Sequence, residues 1–132
     1  MEEIPKSRAT KHDIYFDRAA KVALKSRMNH RHGCVIVSDE GKIIAHGFNR
    51  DVDFMCHQHS IHAEVDAIGK LTKIMLQNIY SMYIVRISPR DAMLKYSKPC
   101  SNCEKLILKS GIKRIYYSTS YEYELENIKI KK

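Results

Sequence analysis

The sequence predicts an α/β domain of three layers, a mixed sheet of four to five strands with helices on both faces. Three observations carry this: an apolar helical stripe opens the chain, β-rich runs alternate with helical patterns after it, and glycines or prolines punctuate the junctions. Phe16, Ala19, Ala20, Ala23 and Leu24 recur at i, i+3, i+4, i+7 and i+8, the stripe of a helix packed on one face, and Asp13 suits its first turn. Two β-rich runs, Cys34 to Val37 and Ile43 to Phe48, flank the turn Asp39-Glu40-Gly41-Lys42 and read as a hairpin. Residues 50–60 then read as a polar loop. A second helix starts near His62 and turns Val65, Ile68 and Leu71 inward, and Ser81 to Ile87 forms a third strand. Residues 88–98 make another loop, broken by Pro89 and Asp91. Pro99 opens a third helix, which buries Leu106 and Ile107 and stops at Gly111. Ile112 to Tyr117 is the fourth strand, giving the order α-β-β-α-β-α-β and a short tail.

A chain of 132 residues suits one domain and can bury a core without disulfides. Residues 1–11 are polar and expected to be a flexible N-terminal segment, leaving residues 12–132 as a single domain. Hydrophobic residues at 44% and charged residues at 29% give a soluble globular composition, which argues against fibrous and disordered classes. No apolar run approaches the roughly 18 residues of a membrane span, and Met1 to Lys6 lacks the apolar stretch of a signal peptide. A cytoplasmic, reducing location is therefore expected, with the four cysteines as thiols rather than disulfides. The net charge of +8 permits a nucleic acid or phosphorylated partner, but the basic residues are spread from Lys6 to Lys132 instead of forming one block, as plain solubility would also have it.

The chemistry-bearing pieces are His62-Ala63-Glu64, Pro99-Cys100 and Cys103. Cys100 and Cys103, two residues apart at a helix start, can reach one metal ion, and the positive end of a helix dipole helps hold thiolates ionised. His62 supplies a nitrogen at the start of the other helix. Three protein ligands leave a fourth tetrahedral position for water, as a catalytic Zn2+ requires. Glu64, two residues beyond His62, can face the same pocket without binding the metal and move protons there. A lone CxxC is as often a structural knuckle or redox pair, and a lone HxE is commonplace. Together, on two helix starts that each follow a β segment, they point to catalysis; a structural zinc site explains neither the missing fourth ligand nor Glu64.

On these residues the sequence resembles the cytidine and deoxycytidylate deaminase superfamily, whose zinc members share an H-x-E and P-C-x-x-C signature. The resemblance covers residues 14–118. The segments Gly33 to Val37, Gly47-Phe48-Asn49, His62 to Ile68, and Cys103 to Ile107 leading to Ser110 to Lys113 look closest to the deoxycytidylate branch. It implies a cytidine-deaminase-like fold of five strands. The short tail leaves room for a fifth strand within Tyr121 to Lys132 only if that strand is very short or antiparallel. It also implies that His62, Cys100 and Cys103 bind one catalytic Zn2+, that activated water attacks C4, and that Glu64 shuttles protons. The backbone N–H of Ala63 would bind the pyrimidine carbonyl, the backbone carbonyl of Lys98 the departing amine, and Asn49 the sugar. Asp66 stands where that branch usually has asparagine, and Ser88 to Lys98 looks longer than usual.

The leading expectation is hydrolytic deamination of dCMP to dUMP, with a small-molecule nucleotide as substrate and a homo-oligomeric state, also by resemblance. The alternatives are a cytidine nucleoside deaminase, a polynucleotide deaminase acting on tRNA adenosine or single-stranded cytosine, and a non-catalytic zinc module that binds a partner. Cys56, His57 and His59 offer a second, structural zinc set without an evident fourth ligand, Cys34 and His46 being the candidates; a plain polar loop is the simpler reading. Cys34 reads as a core residue. Arg27, His30, Arg31, Arg50, Arg86, Arg90 and Lys98 are candidate phosphate contacts or solvated surface charges. Phe54 and Tyr96 are candidate stacking or packing rings, and Tyr116 and Tyr117 sheet packing.

Overall fold

A computed structural model of the chain describes residues 11–54, 57–72, 79–88, 94–118 and 123–124. Helix α1 (Lys11–Ala23) leads into strands β1 (Arg31–Ser38) and β2 (Ile43–Phe48), which form an antiparallel hairpin through the Gly41 turn. A second hairpin follows, β3 (Arg50–Phe54) and β4 (His57–Ile61), then α2 (Ala63–Ile68), β5 (Ile79–Ile87), β6 (Leu94–Lys95), α3 (Ser101–Ser110), β7 (Arg114–Ser118) and β8 (Tyr123–Glu124). The main sheet runs β2-β1-β5-β7-β8. It is mixed, because β5 and β7 are parallel while β1 is antiparallel to both its neighbours. Four strands make its body; β8 adds two residues antiparallel to β7, and β6 adds two antiparallel to β5.

Alternation along β1 divides its side chains between two cores. Val35 and Val37 face α1, where they meet Phe16, Ala19, Val22 and Ala23 with Tyr83, Val85 and Tyr116. Phe16 sits edge-on to Tyr83, which stacks on Tyr116 at 4.7 Å between centroids. Cys34 and Ile36 face the other side, with Ala63 and Ala67 of α2, Ile107 of α3, and Ile84, Ile112, Ile115 and Tyr117. Helices thus cover both faces. Tyr116 and Tyr117, on opposite faces of β7, are both buried sheet packing. Leu24, expected in the helical stripe, is instead exposed beyond the end of α1, and Val22 takes its place in the core.

Residues 50–60, expected as a loop, are largely strand, and the hairpin continues to Ile61. Arg-Asp-Val-Asp-Phe and His-Gln-His-Ser-Ile carry little apolar alternation, and the two segments pair antiparallel from Arg50 opposite Ile61 to Phe54 opposite His57. The hairpin ends where it delivers His62 to α2. The third helix begins at Ser101 rather than Pro99: Cys100 is its N-cap, extended at φ −67° and ψ 165°. Its other end closes as expected on Gly111, in the left-handed region at φ 90°. Among the described residues no helix is long and apolar enough to cross a membrane.

Both helices next to β1 and β2 lie unusually close to the sheet, at glycines. A Cβ on Gly33 would stand 2.0 Å from the Ala19 carbonyl oxygen, and one on Gly47 would stand 2.5 Å from both the Ala63 oxygen and the Ala67 nitrogen. Gly47→Ala therefore cannot be accommodated without lifting α2 off β2. Overpacking of this kind typically costs about 1–3 kcal/mol, and backbone offers no rotamer escape, so the upper part of that range is expected. Chemical denaturation should show a fall of about 3 kcal/mol with the m-value unchanged.

Candidate active site

The β5–α3–β7 crossover places the N-terminus of α3 at the carboxyl end of parallel strand β5, where open α/β sheets bind ligands. The start of α2 meets it there. His62 is the N-cap of α2 and makes no side-chain capping bond, so its imidazole is left for other partners. Its Nδ1 lies 3.1 Å from Cys103 Sγ and 3.9 Å from Cys100 Sγ, and the three donor atoms lie within 4.8 Å of one another. Tetrahedral ligands at 2.0–2.3 Å from zinc stand roughly 3.5–3.8 Å apart. The observed separations bracket that spacing, so one nitrogen and two sulfurs fit a zinc ion. The Cys100 Sγ also accepts the Cys103 N–H at 3.5 Å, which fixes the first turn of α3 and the mutual position of the two thiols.

A cavity of about 270 Å³ opens beside the cluster, lined by His62, Ala63, Glu64, Lys98, Pro99 and Cys100 on one side and by Met28, His30, His32 and Asn49 on the other, with Ser97 between. Glu64 is only 4% exposed. Burial pushes its carboxyl pKa up, against its own backbone N–H, His62 and a hydrogen bond with the Cys103 thiol, which pull it down. The Cys103 thiol is pushed up by burial first and by the Glu64 carboxylate next. A divalent cation reverses that balance for a coordinating thiol. Ala63 carries the first N–H of α2, a donor with no acceptor inside its own helix, and it lines the same cavity.

Asn49 is buried at the far wall. Its Oδ1 accepts the His32 N–H at 2.8 Å and its Nδ2 donates to the His30 carbonyl at 2.5 Å, using one of two N–H groups and one acceptor site. The Ser26 hydroxyl donates to the Asn49 carbonyl at 2.8 Å. The residues on either side of Asn49 are held by Asp66, whose carboxylate accepts the Phe48 N–H at 3.2 Å and the Arg50 Nη2 at 3.2 Å, and lies 3.5 Å from the Lys70 Nζ. Arg50 and Lys70 are about half exposed, so these ion pairs are worth little by themselves. Their role is to satisfy a buried carboxylate that ties the β2–β3 corner to α2.

The predicted residues His62, Glu64, Cys100, Cys103, Ala63, Lys98 and Asn49 all come to this one place. The other candidates divide. Cys34 is fully buried in the core, as expected, and burial pushes its thiol pKa up. Cys56 and Arg90 lie outside the described residues, and for Phe54, His57 and His59 the description covers strand backbone only. His46 is exposed on β2, away from the cluster. Tyr96 is half exposed and edge-on to Tyr117. Arg50 is engaged by Asp66. Met28, His32 and Ser97 were missed: none belongs to a motif, and only the fold brings them to the cavity. The His32 imidazole is pulled down to a pKa of about 4 by burial and by Arg86, its cross-strand neighbour, so it is neutral at pH 7.

Residues 9–119 match the family model described as the cytidine and deoxycytidylate deaminase zinc-binding region. A probable cytosine deaminase of Schizosaccharomyces pombe is 30% identical over 110 residues, 82% of this chain; the chain spans 60% of that relative's length. Among solved structures, dCMP deaminase from the cyanophage S-TIM5 superposes with a TM-score of 0.57 at 22% identity, covering 89% of this chain and 86% of that one. Cytidine deaminase from Burkholderia pseudomallei gives 0.60 at 16% identity, covering 83% and 84%. That from Mycobacterium tuberculosis gives 0.61 at 12%, covering 92% of each chain. At these identities the structural matches establish the fold, and the family model, matched along most of the chain, establishes the rest: the chain belongs to the zinc-binding cytidine and deoxycytidylate deaminase family.

Proposed function

We propose that the protein hydrolyses the exocyclic amine from a cytosine nucleotide, converting dCMP to dUMP and ammonia. The observation that carries the reading is the buried Glu64 carboxyl in the cavity that His62, Cys100 and Cys103 border. Zinc held by these three residues supplies Lewis acidity, which lowers the pKa of a water from about 15.7 to about 7. Glu64 takes one proton from the attacking water and delivers it to the ring nitrogen, then takes the second from the new C4 hydroxyl and delivers it to the leaving amine, as a carboxyl with a raised pKa is suited to do. One C–O bond forms at C4, one C–N bond breaks, and ammonia carries away the amine. The Ala63 N–H binds the pyrimidine carbonyl, the Lys98 carbonyl accepts from the departing amine, and the remaining Asn49 N–H reaches the sugar. The cavity of about 270 Å³ lies just below the usual range of ligand pockets, about 300–1,000 Å³, so it suits a small molecule. The cyanophage neighbour was also solved in complex with dCMP and dUMP.

Free cytosine is the second reading. The name of the yeast relative favours it, as does the engagement of Asn49 with His30 and His32, which leaves less of that side chain for a sugar. A panel of cytosine, cytidine, deoxycytidine, CMP, dCMP and short single-stranded oligonucleotides, read by ammonia release, separates these. dCMP should be the preferred substrate, and preference for cytosine or for an oligonucleotide would replace the reading.

Glu64→Gln keeps shape and loses the proton carrier. Its kcat should fall by about 10²- to 10⁴-fold with zinc content unchanged by elemental analysis. A loss of zinc in this variant would instead make Glu64 a ligand. His62→Ala and Cys103→Ser, in contrast, should purify with far less than one zinc per chain, while Cys34→Ala keeps its zinc and loses only stability.

A further inference from the structure

We infer that Ser97 and Ser118 are positioning residues of the active site: their joined hydroxyls hold the Lys98–Cys100 segment, and with it the Cys100 ligand, in register with α2. The inference rests on the metal site and reaction proposed above. Strand β7 pairs with β5 through Tyr117 opposite Ile84, and β6 takes over the same edge from Lys95 opposite Arg86. At this fork the Ile84 carbonyl and the Arg86 N–H are left between the two partner strands. The two serines fill the gap. Ser97 Oγ lies 2.9 Å from the Ile84 carbonyl oxygen and 2.9 Å from Ser118 Oγ, and it accepts the Ser118 N–H at 2.8 Å. The Arg86 N–H donates to Ser118 Oγ at 3.2 Å, and the Ser97 N–H donates to the Ser118 carbonyl at 2.9 Å.

One proton arrangement satisfies every group. The Ser97 hydroxyl donates to the Ile84 carbonyl, the Ser118 hydroxyl donates to Ser97 Oγ, and each oxygen accepts a backbone N–H. Both side chains are buried, at 3% and 0% exposure, where an unmade hydrogen bond is costly. Displacing Ser97 would therefore break several buried hydrogen bonds at once. Ser97 borders the cavity, and the next three residues, Lys98, Pro99 and Cys100, border it too. Only two residues separate the staple from a metal ligand, so a shift at Ser97 is carried into the site. A misplacement of about 1 Å at a reacting centre can cost about 100-fold in rate.

The test compares Ser97→Ala, Ser118→Ala and the double variant with a control, Val35→Ala, which loses core packing on the α1 face. Two quantities are read: zinc release to a chelator, which needs no substrate, and kcat per zinc-loaded molecule with KM. Each serine variant should release zinc about tenfold faster and lose about tenfold in kcat with KM within about threefold. The double variant should be no worse than the poorer single one, because the two hydroxyls act as a unit. Val35→Ala should lower the melting temperature and change neither. If the serine variants track the control, losing stability but keeping zinc release and kcat, the pair is structural and the inference fails. Should Ser97→Ala not fold, Ser118→Ala carries the same comparison. If the wild type deaminates nothing in the substrate panel, the proposed function falls, and zinc release still decides whether the staple holds the ligand.

Discussion

The depth at which α2 sits on the sheet is the constraint on which the site depends. The Ala63 carbonyl and Ala67 nitrogen occupy the space a side chain at position 47 would need, so α2 meets β2 backbone to backbone at Gly47. That contact fixes the first turn of α2, and the first turn carries His62 at the N-cap and Glu64 one step inside. The α3 side is fixed independently, by the Cys100 cap and by the left-handed Gly111 at the far end. The two helix starts are therefore built separately and meet at the carboxyl edge of β5, where their donor atoms fall at metal-binding distances.

The cost of this arrangement is borne by charged groups in a poorly solvated place. Two of the four buried residues of α2, Glu64 and Asp66, are acidic. Asp66 is compensated by Arg50, Lys70 and a backbone N–H. Glu64 is compensated less completely, so burial holds its carboxyl toward the protonated form and pushes up the neighbouring Cys103 thiol. A divalent cation held by His62, Cys100 and Cys103 would supply positive charge beside it, and the same low polarity that penalises the acid would strengthen its interaction with that charge. A hydrogen-bonded chain from Asp66 through the Phe48–Arg50 corner to Asn49, His30 and His32 carries the position of α2 across to the opposite wall of the cavity.

What the sequence made legible was what has a spacing. Cys100 and Cys103 stand out by a spacing that suits one metal ion, and His62 and Glu64 by the H-x-E pattern that accompanies it in the family signature, while the alternation of helix and strand patterns gave the layers. Four things lacked such a signal. Strands β3 and β4 have only Val52, Phe54 and Ile61 as apolar residues, too few to announce two strands. Val65 was expected inward but is 39% exposed, because the buried face of this six-residue helix is given to Glu64 and Asp66 rather than to apolar residues. Local rules fail here at a functional site, where such conflicts concentrate. His32 belongs to no motif, and only the fold brings it to the cavity. Ser97 and Ser118 are 21 positions apart, and nothing local announces a hydrogen bond between them.

One imidazole and two thiolates, presented by two helix starts, would hold a single zinc ion with a position left open. Zinc-edge X-ray absorption on the zinc-loaded protein reads this ligand set. Two sulfurs at about 2.3 Å and two light donors near 2.0–2.1 Å are expected, one showing imidazole scattering and the other the oxygen of water. A shell of three or four sulfurs, or a second imidazole filling the open position, would contradict it and make the site structural.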